Sequence, residues 1–211
     1  METSAKKFVL FDFDGVIADS LALGHDVARQ VHPEKEMTVD DYRTLFEGNV
    51  YDSLEKAGHQ RRDEEYFAAY APRMEAEVRI MSGIKDAIDR LAQAYTLTII
   101  SSTASDLIHQ FLARHELQKY FTAVMGSDVH VSKVRKMSMV FEQYDTSPGQ
   151  CVFVTDTLGD MREAKAHDVG AIAVAWGWHD RERLEKGIPF RIVETPAELP
   201  DAVDDYFARG L

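Results

Sequence analysis

The sequence predicts an α/β fold, a doubly wound (Rossmann-like) parallel sheet core with an inserted small all-helical cap domain. Three observations predict it. Five short runs, at 6–11, 95–100, 121–125, 151–154 and 171–175, are apolar on both faces, as expected for strands covered on two sides. Helical patterns at 106–115, 134–144 and 160–167 alternate with them, and such alternation builds a parallel sheet. About 80 residues separate the first run from the second, far more than the dozen or so of one crossover.

In chain order, Lys6–Phe11 reads as the first strand, followed by Asp12-Phe13-Asp14-Gly15. The long stretch after it is polar and helix-prone, with helices expected at 20–31, 38–46, 51–57 and 63–78. Thr38 suits the N-cap of the second, because its hydroxyl can accept from the exposed amides of a first turn. The apolar stripe Tyr66, Phe67, Tyr70, Met74 has helical spacing and reads as the cap's own core. Met81-Ser82-Gly83 reads as a hinge into a core helix at 84–94. The helical cap is therefore placed at 17–81, and the α/β core at 1–16 and 82–211. Half of the chain's net charge falls in the cap. The tail 191–211 reads as a last short strand and helix, and there is no internal repeat.

The 211 residues, 45% apolar and 28% charged, suffice for one large domain that needs no disulfide or metal clip. The single cysteine, Cys151, excludes a disulfide framework and reads as a buried small hydrophobe. No apolar run approaches the roughly 20 residues needed to cross a bilayer, and the N-terminus carries no apolar signal core. The expectation is a soluble, cytoplasmic protein without a membrane partner, monomeric or homodimeric. A net charge of −12 without a Lys/Arg stripe argues against nucleic acid as a partner. Neither a Gly-x-x-x-x-Gly-Lys loop nor a Gly-x-Ser-x-Gly elbow occurs. The eight histidines show no metal-ligand spacing and read as surface or satisfied core residues.

Asp12 and Asp14 carry the chemical signal. Residues i and i+2 of a strand point to one side, here at the carboxyl end of the sheet, where open α/β sheets bind ligands. Phe11 and Phe13 take the other side. Two carboxylates 4 Å apart repel by about 4 kcal/mol at an effective dielectric of 20. Such a pair therefore holds a proton or a cation, unless the string is merely a solvated turn. The run Phe153-Val154-Thr155-Asp156-Thr157-Leu158-Gly159-Asp160 brings a second strand end with acids. In a parallel sheet both ends share one edge, so Asp12, Asp14, Asp156 and Asp160 can gather as oxygen ligands of a hard cation such as Mg²⁺. Asp160 also has a plainer reading, as a helix N-cap. Ser101, Ser102 and Thr103 follow the 95–100 strand, and hydroxyls and amides at a helix start suit a phosphoryl oxygen. A helix cap at Ser102 or Ser105 is compatible with that. Lys133 opens the helix that leads to the Asp156 strand and can pair with carboxylates and phosphate. Trp176 and Trp178, after the last core strand, either line a site entrance or serve packing.

These four motifs, in this order and with an insert after the first, resemble those of haloacid-dehalogenase-superfamily hydrolases. The similar branch is the phosphoglycolate-phosphatase-like and β-phosphoglucomutase-like one with a helical cap. The resemblance implies that Asp12 is a nucleophile forming an aspartyl phosphate, and that Asp14 is the general acid and base. Ser101, Ser102 and Lys133 would hold the phosphoryl group. Asp12, the Asp14 backbone carbonyl and Asp156 would bind Mg²⁺, with Asp160 in support. The implied activity is Mg²⁺-dependent hydrolysis of a small phosphorylated metabolite; a phosphomutase and a non-catalytic Mg²⁺/phosphate-binding regulator are the alternatives.

The third motif departs from the family's usual Lys-Pro, reading Lys133-Val134-Arg135-Lys136, which makes Lys136 a rival for the phosphate. Lys133 is favoured by its 23-residue spacing to Asp156. The cap loop at 45–54 lacks the arginine with which a mutase would grip a second phosphate. An acid at Asp14 argues against dehalogenase and phosphonatase chemistry; the latter also needs a cap lysine, for which Lys35 and Lys56 are the options.

Overall fold

Strand β1 (Phe8–Phe11) is buried on both faces, and its neighbours sort by parity. Val9 and Phe11 join one large core cluster, whereas Phe8 and Leu10 join another. That two-sided burial is what a continuous apolar run produces when helices cover both faces of a parallel sheet. The computed structural model describes residues 6–34, 36–56, 58 and 62–210.

Six parallel strands form the sheet: β1, β4 (Thr96–Ile100), β5 (Phe121–Met125), β6 (Cys151–Thr155), β7 (Gly170–Val174) and β8 (Arg191–Val193). Their order is β5-β4-β1-β6-β7-β8, so β1 is central and pairs with both β4 and β6. On the Val9/Phe11 face lie α5 (Ile84–Ala92), α6 (Ser105–Arg114) and α10 (Leu199–Arg209). The opposite face is covered by α7 (Lys133–Tyr144) and α8 (Leu158–Lys165), with the short α9 (Arg181–Glu185) packing beside α8. Chain order and strand order reverse between β1's two neighbours, which makes this edge the topological switch point where such sheets bind ligands.

The insertion is helical throughout its main length: α1 (Leu21–Val31), α2 (Val39–Thr44), α3 (Val50–Lys56) and α4 (Asp63–Glu77). Thr38 caps α2 in a reciprocal box, its Oγ1 accepting from Asp41 N at 3.1 Å while an Asp41 carboxylate oxygen accepts from Thr38 N at 2.9 Å. Such a cap contributes about 1 kcal/mol. A two-stranded antiparallel ribbon, β2 (Ala18–Asp19) with β3 (Arg79–Ile80), joins the two crossings between helices and sheet. Two residues per strand are too few to show a period in sequence, and neither strand was expected. Gly83, at φ +83, follows in the left-handed conformation and starts α5.

Two expected helix starts move. α8 begins at Leu158 with Thr157 as N-cap, so Asp160 lies inside the first turn and is not the cap. α6 begins at Ser105 after Ala104, with no side-chain cap. The Ser105 amide instead donates to Asp128 at 2.7 Å. Cys151 is buried and free. No helix among the described residues is long and apolar enough to cross a membrane.

Candidate active site

Asp12 follows β1 by one residue, and its amide donates to Val154 O of β6 at 2.9 Å. That bond sets the ends of β1 and β6 side by side, and Asp12, Asp156 and Asp160 come together at this one edge. Phe11 and Phe13 turn into the core cluster, as the alternation requires.

Lys133 stands between two of the carboxylates. Its Nζ lies 2.9 Å from Asp12 Oδ1 and 2.7 Å from Asp160 Oδ2, with all three side chains almost wholly buried. Asp12 Oδ1 also accepts from Phe13 N at 2.7 Å, and Asp160 Oδ2 accepts from Thr155 Oγ1 at 2.7 Å. Burial works against the Lys133 ammonium, but the two carboxylates outweigh it and hold its pKa above the ordinary value. Asp160, for which burial is likewise outweighed by Lys133 and its hydrogen bonds, stays below the usual carboxylate range. Asp12 is pushed up, by burial first and by Asp160 and Asp156 in addition.

Lys136 takes a different place. It is fully buried and donates to the backbone carbonyls of Ser101 and Gly126, so it braces the β4 and β5 ends from behind. Burial, with the Lys133 charge, lowers its pKa to about 8.

Asp14 turns its carboxylate away from the other acids. Oδ1 accepts from Ser20 Oγ at 2.7 Å, and Oδ2 accepts from Thr103 Oγ1 at 2.7 Å and from Ser101 Oγ at 3.5 Å. Burial raises its pKa, and these hydroxyls temper the rise. Ser101 is fully buried, and its Oγ accepts from Thr103 N at 3.0 Å. Ser102 and Thr103, rather than Ser101, line the cavity in front of the acids. The roles of Ser20 and Thr103 were not assigned from sequence. The hydroxyl type was visible at both positions, but not the partner, which comes from a separate segment of chain.

Asp156 is fully buried. Its Oδ2 accepts from Trp178 N at 2.7 Å, whereas Oδ1 has no hydrogen-bond partner. Burial raises its pKa to about 8. Gly15, at φ +72, and Gly177 both press on this carboxylate: a Cβ at Gly15 would sit 1.9 Å from Asp156 Oδ2. Among the described residues no three His, Cys, Asp or Glu side chains are arranged to hold a metal on their own. The four-carboxylate gathering expected from sequence therefore needs correcting. The Asp14 side chain serves Ser20 and Thr103, and that of Asp160 serves Lys133 and Thr155. Among the side chains, what remains for a cation is Asp12 and the unpartnered Asp156 Oδ1. An orphaned buried carboxylate oxygen is costly unless something positive meets it, so these residues fit a hard cation with oxygen ligands.

The cavity in front of the acids is about 120 Å³ and is roofed by the helical insertion. Tyr66, Phe67 and Tyr70 of α4 line it, so the stripe read as cap core faces the site as well. Met74 keeps to the core cluster. Trp178 also does both: it lines the cavity and packs on Phe46 and Tyr42, at ring separations of 4.7 and 5.6 Å. Trp176 donates from Nε1 to Val16 O at 3.2 Å. His179 is buried; its Nδ1 accepts from Leu158 N at 3.0 Å, and Nε2 donates to Arg43 O of α2 at 2.9 Å. Arg183 reaches Asp40 and Glu47 at 2.8 and 3.2 Å. The cap loop rests so closely on α8 that a Cβ at Gly159 would lie 2.3 Å from Gly48 O. Of the two cap lysines, Lys56 is exposed at the end of α3, and Lys35 lies outside the described residues.

The comparison with known proteins agrees with this geometry. A family model described as haloacid dehalogenase-like hydrolase matches residues 9–174. The chain is 27% identical over 203 residues to phosphoglycolate phosphatase of Synechococcus elongatus, covering 92% of this chain and 96% of that one. It is 23% identical over 218 residues to phosphoglycolate phosphatase of Vibrio parahaemolyticus, at 93% and 96% coverage. A solved haloacid dehalogenase-like hydrolase of Streptococcus pneumoniae superposes with a TM-score of 0.78 at 20% identity, over 96% of this chain and 99% of that one. With the motifs, the fold and the family model in agreement, the chain belongs to the haloacid dehalogenase-like hydrolase family and is a phosphoric monoester hydrolase of its phosphoglycolate-phosphatase-like branch.

Proposed function

We propose that this hydrolase is a Mg²⁺-dependent phosphatase that cleaves a small phosphorylated metabolite through a phosphoenzyme on Asp12. The division into a core at 1–16 and 82–211 and a cap at 17–81 belongs to the same proposal. The observation that carries it is the Asp12–Lys133–Asp160 ion cluster, which faces a cavity whose wall includes Ser102 and Thr103, with the unpartnered Asp156 Oδ1 buried behind it.

An Asp12 carboxylate oxygen attacks phosphorus, the bond to the leaving oxygen breaks, and Asp14 gives that oxygen its proton. Water then attacks the Asp12 phosphate, Asp14 takes the water's proton, and orthophosphate leaves with Asp12 restored. A group that must act first as acid and then as base works best with a raised pKa, and burial raises that of Asp14. Lys133 and Ser102 hold the phosphoryl oxygens, with Ser101, expected from sequence in the same role, set behind them on Asp14; Lys136 supports the Ser101 backbone and does not face the phosphate. Asp12, the Asp14 carbonyl and Asp156 would hold Mg²⁺, with Asp160 orienting Lys133. When bound, the ion supplies the positive charge that lets an anionic nucleophile approach an anionic phosphate. The cap excludes bulk water during both steps.

The test is phosphate release from p-nitrophenyl phosphate with Mg²⁺ and with EDTA, for the wild type and Asp12→Asn. Turnover that needs Mg²⁺ and disappears in the variant supports the proposal. Mg²⁺ binding without turnover of any phosphoester would instead favour a regulator, and isomerisation of a sugar phosphate without phosphate release would favour a mutase.

A further inference from the structure

We propose that the leaving group this enzyme accepts is an uncharged apolar ring alcohol, and that the cap chamber discriminates against carboxylated substrates. The inference rests on the phosphatase reading and concerns the part of the cavity beyond the phosphoryl site.

Aromatic side chains from the cap and from the core line the cavity: Tyr42, Phe46, Tyr66, Phe67, Tyr70 and Trp178. Tyr66 stacks on Tyr70 at 5.6 Å and meets Phe67 edge-on at 5.4 Å, while Phe46 meets Trp178 edge-on at 4.7 Å. Rings held by one another in this way form a preorganised apolar wall with edges and faces for a further ring. The whole cavity, its phosphoryl end included, measures about 120 Å³, somewhat less than the roughly 150 Å³ apolar cavities that take up benzene, so the chamber admits one ring at most.

Charge points the same way. Asp14, Asp63 and Glu163 line the cavity. The cations lining it among the described residues are Lys133, paired with Asp12 and Asp160, and Arg62. Arg62 donates to Val31 O and lies 3.8 Å from Glu34, which also meets His32 at 3.3 Å. A carboxylate on the leaving group would lose its water among rings and acids with no cation committed to it, which is unfavourable. An ammonium would lose its water among the same rings, which leaves an uncharged ring as the occupant.

Benzyl phosphate, ethyl phosphate and 2-phosphoglycolate have alkyl leaving groups, and comparing their kcat/KM isolates the chamber. Phosphocholine supplies the cationic arm. Burial of the ring is expected to favour benzyl phosphate over each of the others by at least about tenfold. Phe67→Ala should shrink the benzyl-to-ethyl ratio. Binding of benzylphosphonate and ethylphosphonate, measured by calorimetry and by Trp178 fluorescence, gives a readout that needs no turnover. Tighter benzylphosphonate binding without hydrolysis of any ester would retain the chamber and overturn the phosphatase reading. Hydrolysis of all four esters with benzyl phosphate no better than ethyl phosphate or 2-phosphoglycolate would overturn the chamber and keep the phosphatase. Preference for phosphocholine would likewise overturn it, as a cation cage.

Discussion

The ammonium of Lys133 stands 2.9 Å from Asp12 Oδ1, at a point where the chain brings a helix N-terminus against the end of the central strand. Because the same ammonium serves Asp160, its loss strands two buried acids. Lys133→Met should destabilise the protein by about 3–5 kcal/mol, the range for removing one partner of a buried ion pair. The loss should shrink as pH falls and the acids take up protons. Urea unfolding at pH 5 and pH 7.5, without added metal, measures both, and an equal loss at the two values would contradict the pairing.

Asp12→Asn keeps the size of the side chain and removes the nucleophile. Turnover should fall by at least about a thousandfold, as when a covalent nucleophile is deleted elsewhere, with the circular dichroism spectrum unchanged. Activity within tenfold of wild type would place the nucleophile elsewhere.

Asp14→Asn should slow turnover by about 10² to 10⁴, the usual contribution of general acid–base catalysis. Mass spectrometry of quenched reactions should find phosphorylated Asp12. The pH profile adds a sign. The acid step needs protonated Asp14, so its rate falls as pH rises through that group's raised pKa. Thr103→Val removes a hydrogen bond that favours the carboxylate, and it should move this limb to higher pH. A limb that moves to lower pH would contradict the assignment.

Asp156, with its pKa at about 8, holds a proton at neutral pH unless a cation displaces it. Mg²⁺ affinity should therefore rise about tenfold per pH unit below 8 and level off above it, since binding releases the proton. Calorimetry at pH 6.5, 7.5 and 8.5 in buffers of different ionisation heat measures the affinity and the proton release. A flat affinity across this range would show that Asp156 is not a ligand.

Lys136→Met would leave the Ser101 carbonyl buried without its donor, while the Gly126 carbonyl keeps the Val129 and His130 amides. At about 1–3 kcal/mol for each unsatisfied group, the loss should show in unfolding experiments. KM should change less than in Lys133→Met; the reverse order would exchange the roles of the two lysines.

The main strands and helices were legible because they carry their own periods. Residues 121–125 were bounded as observed, the starts at 63, 84 and 151 held, and the starts of the other long elements moved by one or two residues. The shift at α8 has a visible cause: the Thr157 hydroxyl accepts from the Asp160 amide and caps the helix in place of the Asp160 side chain. The β2–β3 ribbon lay beyond reading, since two residues have no period. The acids of the site were visible as strand-end residue types, but the direction of each carboxylate was not. Asp14 faces Ser20 and Thr103 because packing of Phe13 and the turn at Gly15 fix its side, and those hydroxyls arrive from other segments.

By itself, the sequence determined the sheet and the edge on which Asp12 and Asp156 sit, because alternation and strand parity are local properties that parallel pairing converts into one shared rim. Tertiary structure alone decided that Lys133 and not Lys136 meets the acids, that one oxygen of Asp156 is left without a partner, and that the tyrosines of α4 face the cavity. Each of these depends on how far one element is rotated against another. That rotation is set by packing between separate elements, where no sequence period reaches.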